Sequence, residues 1–225
     1  MRTRGSPPSE LEGPLELDPT DWSSRDVYHL MTGLVVPRPI AWVSTVDEDG
    51  VCNLAPYSYF NIVASDPPHV VFSSVGEKDT LRNVRSTGEC VINIVTMDLV
   101  ERMVFTATDF PEDEDEFSWA ELEQAPSRRV RPPRVAAAAA HLECAVRSIV
   151  PVGNGSIVVA EVVHLHASER VWSNGRIDPE LLDPVCRLGG SSYASLGHVF
   201  KLSWPSWAHD VAGTRPGEVV PRRAL

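Results

Sequence analysis

The chain has 225 residues, 43% of them hydrophobic, enough to bury a substantial core as a single domain. Its formal net charge of -11 gives no electrostatic footprint for a phosphate backbone, so nucleic acid is excluded as a partner. The N-terminal "MRTRGSPPSELEG" has no apolar run after its arginines, and no segment approaches the roughly 18 apolar residues that span a bilayer, so a cytoplasmic protein without a membrane partner is expected.

In chain order, residues 1–20 are rich in Pro, Glu and Gly and read as a loosely held tail. A second tail is expected at 208–225, leaving the domain at 21–207. "WSSRDVYHLMTGL" predicts a helix capped by Ser23 or Ser24, with Val27, Tyr28, Leu30, Met31 and Leu34 as its apolar face and Gly33 and Pro37 at its end. "IAWVSTV", the turn "DEDG" and "VCNLAPYSYF" predict a hairpin, because Asp and Gly tolerate the positive φ that such turns require. "HVVFSSV" and "ECVINIV" read as further strands, and "AHLECAVRSIVPV", "GNG" and "SIVVAEVVHLHASERVW" as a second hairpin. Helices are expected at about Thr80 to Thr87 and Met97 to Thr106. The sum is a mainly β chain: a closed or nearly closed antiparallel barrel with a few peripheral helices. The runs "PEDEDEFSW" and "RRVRPPRV" read as solvated loops, and Trp204 and Trp207 as core or interface anchors. Cys52, Cys90, Cys144 and Cys186 are singletons without a CxxC pair, which predicts free thiols and no zinc site. His164 and His166 share a strand face but lack a third ligand nearby, so no metal is expected there.

The segment from Asn53 to Asn83 concentrates the polar chemistry. Asn53, Ser58, Ser73 and Ser74 carry short hydrogen-bonding side chains, and Pro56 is expected to bend the backbone so that main-chain amides leave the ladder. Beyond Gly76, Asp79 reads as the N-cap of the helix from Thr80, with Gly88 as its C-cap. A helix N-terminus beside Lys78 and a hydroxyl suits an anion, since unpaired N–H groups and the helix dipole both favour negative charge. The segment thus predicts a site for a planar heterocycle at one end and a phosphate at the other.

"PRPIAWVSTVDEDGVCNLAPYSYFN", "SDPPHVVFSS", "KDTLRN", "GECVINIV", "DEF", "PPRVA", "HLEC", "VAEVVHLH" and "PVCRLGGSSYA", in this order, resemble the flavin reductase-like family over roughly residues 25 to 200. The resemblance implies an FMN-binding split barrel and a homodimer with FMN near the subunit interface, reduced by NAD(P)H. Ser44 and Thr45, with Asn53, Leu54, Ala55, Pro56, Tyr57 and Ser58, would border the ring and ribityl chain. Ser73, Ser74, Lys78, Asp79 and Thr80 would surround the ribityl and phosphate end. For the negative charge of the reduced ring, the amides from Pro56 to Ser58 are the first candidates and Arg187 the second. Tyr193 is a candidate cover for the flavin or substrate, and His198 for the nicotinamide side. The implied activity is electron transfer from NAD(P)H through FMN to free flavin or another small acceptor, with a partner monooxygenase as a possible recipient. The alternatives are a flavoredoxin-like carrier reduced by a protein donor and a non-catalytic flavin-binding protein.

Overall fold

The computed structural model describes residues 15–215 and the backbone of 223–224. The chain divides into two compact units, Met1–Ser195 and Leu196–Leu225. Strands β1 (Arg38–Pro39), β2 (Ala41–Val46), β3 (Cys52–Tyr57), β4 (Phe60–Ser65), β5 (Pro68–Val75) and β6 (Glu89–Ile94) are followed by the short pair β7 (Gln124–Ala125) and β8 (Arg134–Val135). The long hairpin β9 (Ala140–Val152) and β10 (Gly155–Ala167) comes next. Seven of these make one antiparallel sheet in the order β3-β2-β6-β9-β10-β5-β4. Its edges, β3 and β4, are neighbours in the chain and are not hydrogen-bonded to each other. The sheet curls so that Tyr57 of β3 meets Phe72 of β5, ring centroids 5.1 Å apart. This is the split barrel, an antiparallel β fold with few helices.

Every residue of β2 is buried, because its two faces meet two different cores. Ala41 and Val43 point into the barrel with Tyr57, Phe72, Leu81, Ile92 and Val158. Ile40 and Trp42 point outward, where Leu99, Met103 and Phe117 cover them. Those covering residues come from the turn Met97–Leu99, helix α3 (Val100–Phe105) and helix α4 (Glu116–Trp119), which follow helices α1 (Ser24–Leu34) and α2 (Asp79–Thr87) in the chain. Trp42 keeps its indole satisfied by donating to Thr106 Oγ1 at 2.9 Å.

Three local expectations are corrected. Asp79 is the first residue of α2 and not its cap: Lys78 holds the cap position, no side chain bonds the first turn, and the Asp79 carboxylate pairs instead with Arg82. Pro56 does not break β3. The strand runs through to Tyr57 because it is a sheet edge, where Pro removes no ladder bond. The apolar stripe of α1 exists but faces outward, with Tyr28, Met31 and Leu34 at 47%, 51% and 76% exposure. Only Thr32 of that helix is buried, so its stripe was drawn for something other than this chain's core.

The second unit contains a strand pair, Lys201–Leu202 with Arg223–Ala224, and a helical turn Trp207–Val211. Trp204 and Trp207 lie there at 94% and 74% exposure, which excludes them as core anchors. Among the described residues no helix is long and apolar enough to cross a membrane.

Candidate functional site

A groove of about 1300 Å³ opens in the first unit. Its wall is built from α1, β1, the edge strand β3 with the turn after it, the end of β5, the first turn of α2, and residues 106–116. The edge position of β3 explains its use: one side of the strand pairs with β2, and the other has no strand to pair with. On that free side the N–H of Leu54 donates to Glu116 Oε2 at 2.9 Å, and Pro56 has no N–H to offer.

The N-terminus of α2 is fixed against the strands by a buried polar network. Asn53 Nδ2 donates to Thr80 Oγ1 at 2.8 Å and to Thr45 Oγ1 at 3.4 Å, and Asn83 Nδ2 donates to the same Thr45 hydroxyl at 3.1 Å. Asn53, Thr80, Thr45 and Asn83 are all buried, so each polar atom needs this partner set, and the set locks helix to hairpin. Beside it lies Tyr57, whose buried hydroxyl is near Thr80 and Ser74 but meets neither at hydrogen-bonding geometry. Burial pushes that phenol above its ordinary value, so it stays neutral behind the groove wall to which Tyr57 contributes.

The charged groups at this end are paired. Lys78 Nζ lies 3.0 Å from Asp109 Oδ1, and Arg82 reaches both Asp79 and Glu112. The Lys78 pair is exposed, 52% and 91% for its side chains, and an exposed pair is worth only about 0–1 kcal/mol, so a stronger anion can displace Asp109. Glu116 differs because it is buried. Burial pushes its carboxyl up to about 7, with Asp79 and Asp115 adding to the rise and the Leu54 amide opposing it.

Of the residues singled out from sequence, Asn53, Ala55, Pro56, Tyr57, Ser58, Ser73, Lys78, Asp79 and Thr80 line the groove. Ser44, Thr45, Leu54 and Ser74 do not; they support it from behind. Ser44 Oγ donates to Pro133 O, Thr45 accepts in the network above, Leu54 sits in the outer core, and Ser74 is fully buried with its hydroxyl toward Gly76 O at 3.3 Å. Arg187 and Tyr193 also lie outside the groove wall. The Arg187 guanidinium stacks 4.4 Å over the Tyr193 ring and bonds its hydroxyl, within a small sheet formed by β1 with Cys186–Arg187 and Tyr193–Ala194. His198 belongs to the second unit, where its ring stacks on Phe200. His166 bonds Glu143, and His164 packs edge-on against His166.

Sequence reasoning missed Arg38, Tyr59, Thr106, Phe110 and Glu116 as wall residues. The one local signal for Glu116 was Phe117 beside it, which is committed to the outer core, whereas Trp119 stays 55% exposed. The others depend on which strands become edges.

A split barrel with a groove along its free edge and an uncapped helix N-terminus opening into it has the form of a small-ligand site with an anion-favouring end. Residues 32–180 match the model of the flavin reductase like domain. The chain is 37% identical to nitrilotriacetate monooxygenase component B from Bacillus cereus, with a TM-score of 0.82 over 85% of this chain and 100% of that one. It is 32% identical to the Pseudomonas fluorescens 2-nitrobenzoate 2-nitroreductase, with a TM-score of 0.80 over 86% and 98%. An uncharacterised Halalkalibacterium halodurans protein is 35% identical over 85% of this chain and 97% of its own length. The chain belongs to the flavin reductase-like family.

Proposed function

We propose that the chain is an FMN-dependent reductase that carries electrons from NAD(P)H through bound FMN to free flavin or another small acceptor. The observation that carries this reading is the uncapped first turn of α2, with Lys78 beside it, opening into a groove that also holds an unpartnered buried phenol. In this reading the phosphate takes the α2 end, displacing Asp109 from Lys78, and Thr80 with the first-turn N–H groups completes its cradle. Tyr57, Ser58 and Ser73 serve the ribityl chain and ring. When bound, the flavin supplies the two-electron chemistry, and the chain needs no side-chain nucleophile. Its own part is to orient both ligands along β3 and to exclude water from their contact. Single-ligand sites run to about 1,000 Å³, so a groove of about 1300 Å³ has room for a second planar ligand against the ring. The monooxygenase component among its relatives supports a partner oxygenase as one recipient of the electrons.

The test is a fluorescence titration with FMN and riboflavin. Uptake of one FMN per chain, followed by bleaching of the flavin band on anaerobic NADH or NADPH, is expected, and a colourless protein that takes up no FMN refutes the reading. Lys78→Ala is expected to weaken FMN about tenfold while leaving riboflavin unchanged, because a charge-assisted bond to a half-exposed lysine is worth about 1.5 kcal/mol. Equal losses for both flavins would move the phosphate elsewhere.

The same reading includes a homodimer. The outward stripe of α1 and the edge strand β4, where Ile62 is 72% exposed, leave apolar surface and an open ladder that a second copy can cover. Light scattering is expected to give the mass of two 24.7 kDa chains; a flavin-loaded single chain would disprove it.

A further inference from the structure

Arg38 presents an unusual accounting problem. It is 6% exposed, and its guanidinium donates only to main-chain carbonyls: Nη1 to Thr32 O at 2.8 Å and Val35 O at 2.5 Å, Nη2 to Leu188 O at 2.8 Å. Its Nε is buried without a partner, and among the described residues no carboxylate lies within 4 Å of it. Carbonyls satisfy N–H groups, and the C-terminal dipole of α1 offsets part of the charge, but a full positive charge remains in a low-dielectric setting.

Its place in the groove makes that charge informative. Every other charged group lining the groove comes from residues 77–82 or 109–116, and there Lys78 and Arg82 each already hold a carboxylate. Arg38 comes from a separate part of the wall, the β1 side next to the end of α1, where Tyr59 lies within reach of its charge. Its field reaches the wall: burial pushes the Tyr59 phenol up, and the Arg38 charge acts against that rise. If the α2 end takes the phosphate, the ring of the same ligand extends toward Arg38.

We propose that Arg38 is the electrostatic partner of the reduced flavin: its buried, acid-free guanidinium places positive charge at the ring end of the groove and favours the anionic reduced form over the neutral oxidised one. This rests on the reading of the groove as an FMN site. Arg38, and not Arg187, then answers the need for a cation near the ring, because Arg187 is turned onto Tyr193 outside the groove wall. It acts through the field from beneath the wall, as a positioning residue, and requires no bond from the inaccessible Nε.

The experiment measures dissociation constants for oxidised FMN aerobically and photoreduced FMN anaerobically, together with the midpoint potential of the bound flavin. Wild-type protein is expected to bind reduced FMN more tightly than oxidised FMN, with a potential above that of free FMN. Arg38→Gln is expected to lower the ratio of the two affinities about tenfold, which is about 30 mV for a two-electron couple. Arg38→Lys keeps the charge and loses the fork to Thr32, Val35 and Leu188, so it should hold the ratio near the wild-type value even if the fold is weakened. A purely structural Arg38 predicts the opposite pattern: both variants lose stability, and neither moves the ratio. That result overturns the proposal. Should Arg38→Gln fail to fold, a wild-type potential at or below that of free FMN overturns it equally. Wild-type protein that takes up no FMN in either state overturns the reading of the groove itself, which is a separate outcome from uptake with an unchanged ratio.

Discussion

Replacing Glu143 by Ala is expected to destabilise the barrel by about 3–5 kcal/mol, the usual consequence of removing one member of a buried, hydrogen-bonded charged set. Glu143 lies on β9 with no solvent exposure. Its Oε1 accepts from the Arg128 N–H at 2.7 Å and from His166 Nε2 at 2.5 Å, and its Oε2 accepts from the Arg129 N–H at 2.6 Å. Burial alone would raise this carboxyl, but the His166 bond and the two amides outweigh it and hold the group below its ordinary value. The carboxylate is therefore the anchor of the arginine-rich loop, whose next arginine, Arg131, is tied separately to Glu89. Ala leaves the two amides without this acceptor and His166 without its partner. The loss is read by urea denaturation, and a second measurement localises it. Trypsin cleaves after arginine unless proline follows, so Glu143→Ala should be cut at Arg128 or Arg129 well before the wild type, while the Arg131–Pro132 bond resists in both. Glu143→Gln, which keeps one acceptor and the shape, should fall between them. Wild-type stability and wild-type resistance to trypsin in the Ala variant would show that the loop is held by other contacts.

Glu116→Gln is expected to change the pH dependence of stability by up to about 3 kcal/mol. The folded-state value of about 7 lies above the ordinary 4.5, so the folded protein favours the protonated acid. The contribution of Glu116 is full below pH 4.5, declines as pH rises toward 7, and stays at its low value above that. Gln cannot ionise, and its amide oxygen still accepts the Leu54 N–H. Relative to the wild type, the variant should therefore gain stability between pH 5 and pH 8. His141, which burial holds down to about 4, changes stability in the opposite sense over part of this range, but it is present in both proteins and cancels in the comparison. The measurement is the difference in unfolding free energy at the two pH values. A constant difference would mean that Glu116 is ionised in the folded state throughout.

Both carboxylates show where local sequence runs out. Glu143 sits in a strand whose apolar alternation was readable, yet nothing in "HLECAV" says that its acid faces a loop fifteen residues upstream and not solvent. Glu116 sits in an acidic run that reads as solvated. Four of its five acids are at least partly exposed, and the fifth turns inward because Phe117 beside it is committed to the outer core. The Arg187 and Arg38 pair is similar. They are directly opposed in a small sheet, and which guanidinium meets the groove depends on α1 and Tyr193.

What the sequence determined by itself is most of the long strands, the helices α1 and α2, and the family. Period-two apolar runs, Asp-Gly and Gly-Asn-Gly turns and a Ser-capped helix specify the strands, hairpins and α1 locally, because those preferences act within a few residues. The order of motifs from Pro37 to Ala194 carries the family. Only the tertiary structure decided that β3 is an edge, that Pro56 therefore lies inside a strand, that the α1 stripe faces away from the core, and that Arg38 is buried without an acid among the described residues. Each of these depends on which strands close against which, and pairing is set by the burial of whole faces across long separations that no local window contains.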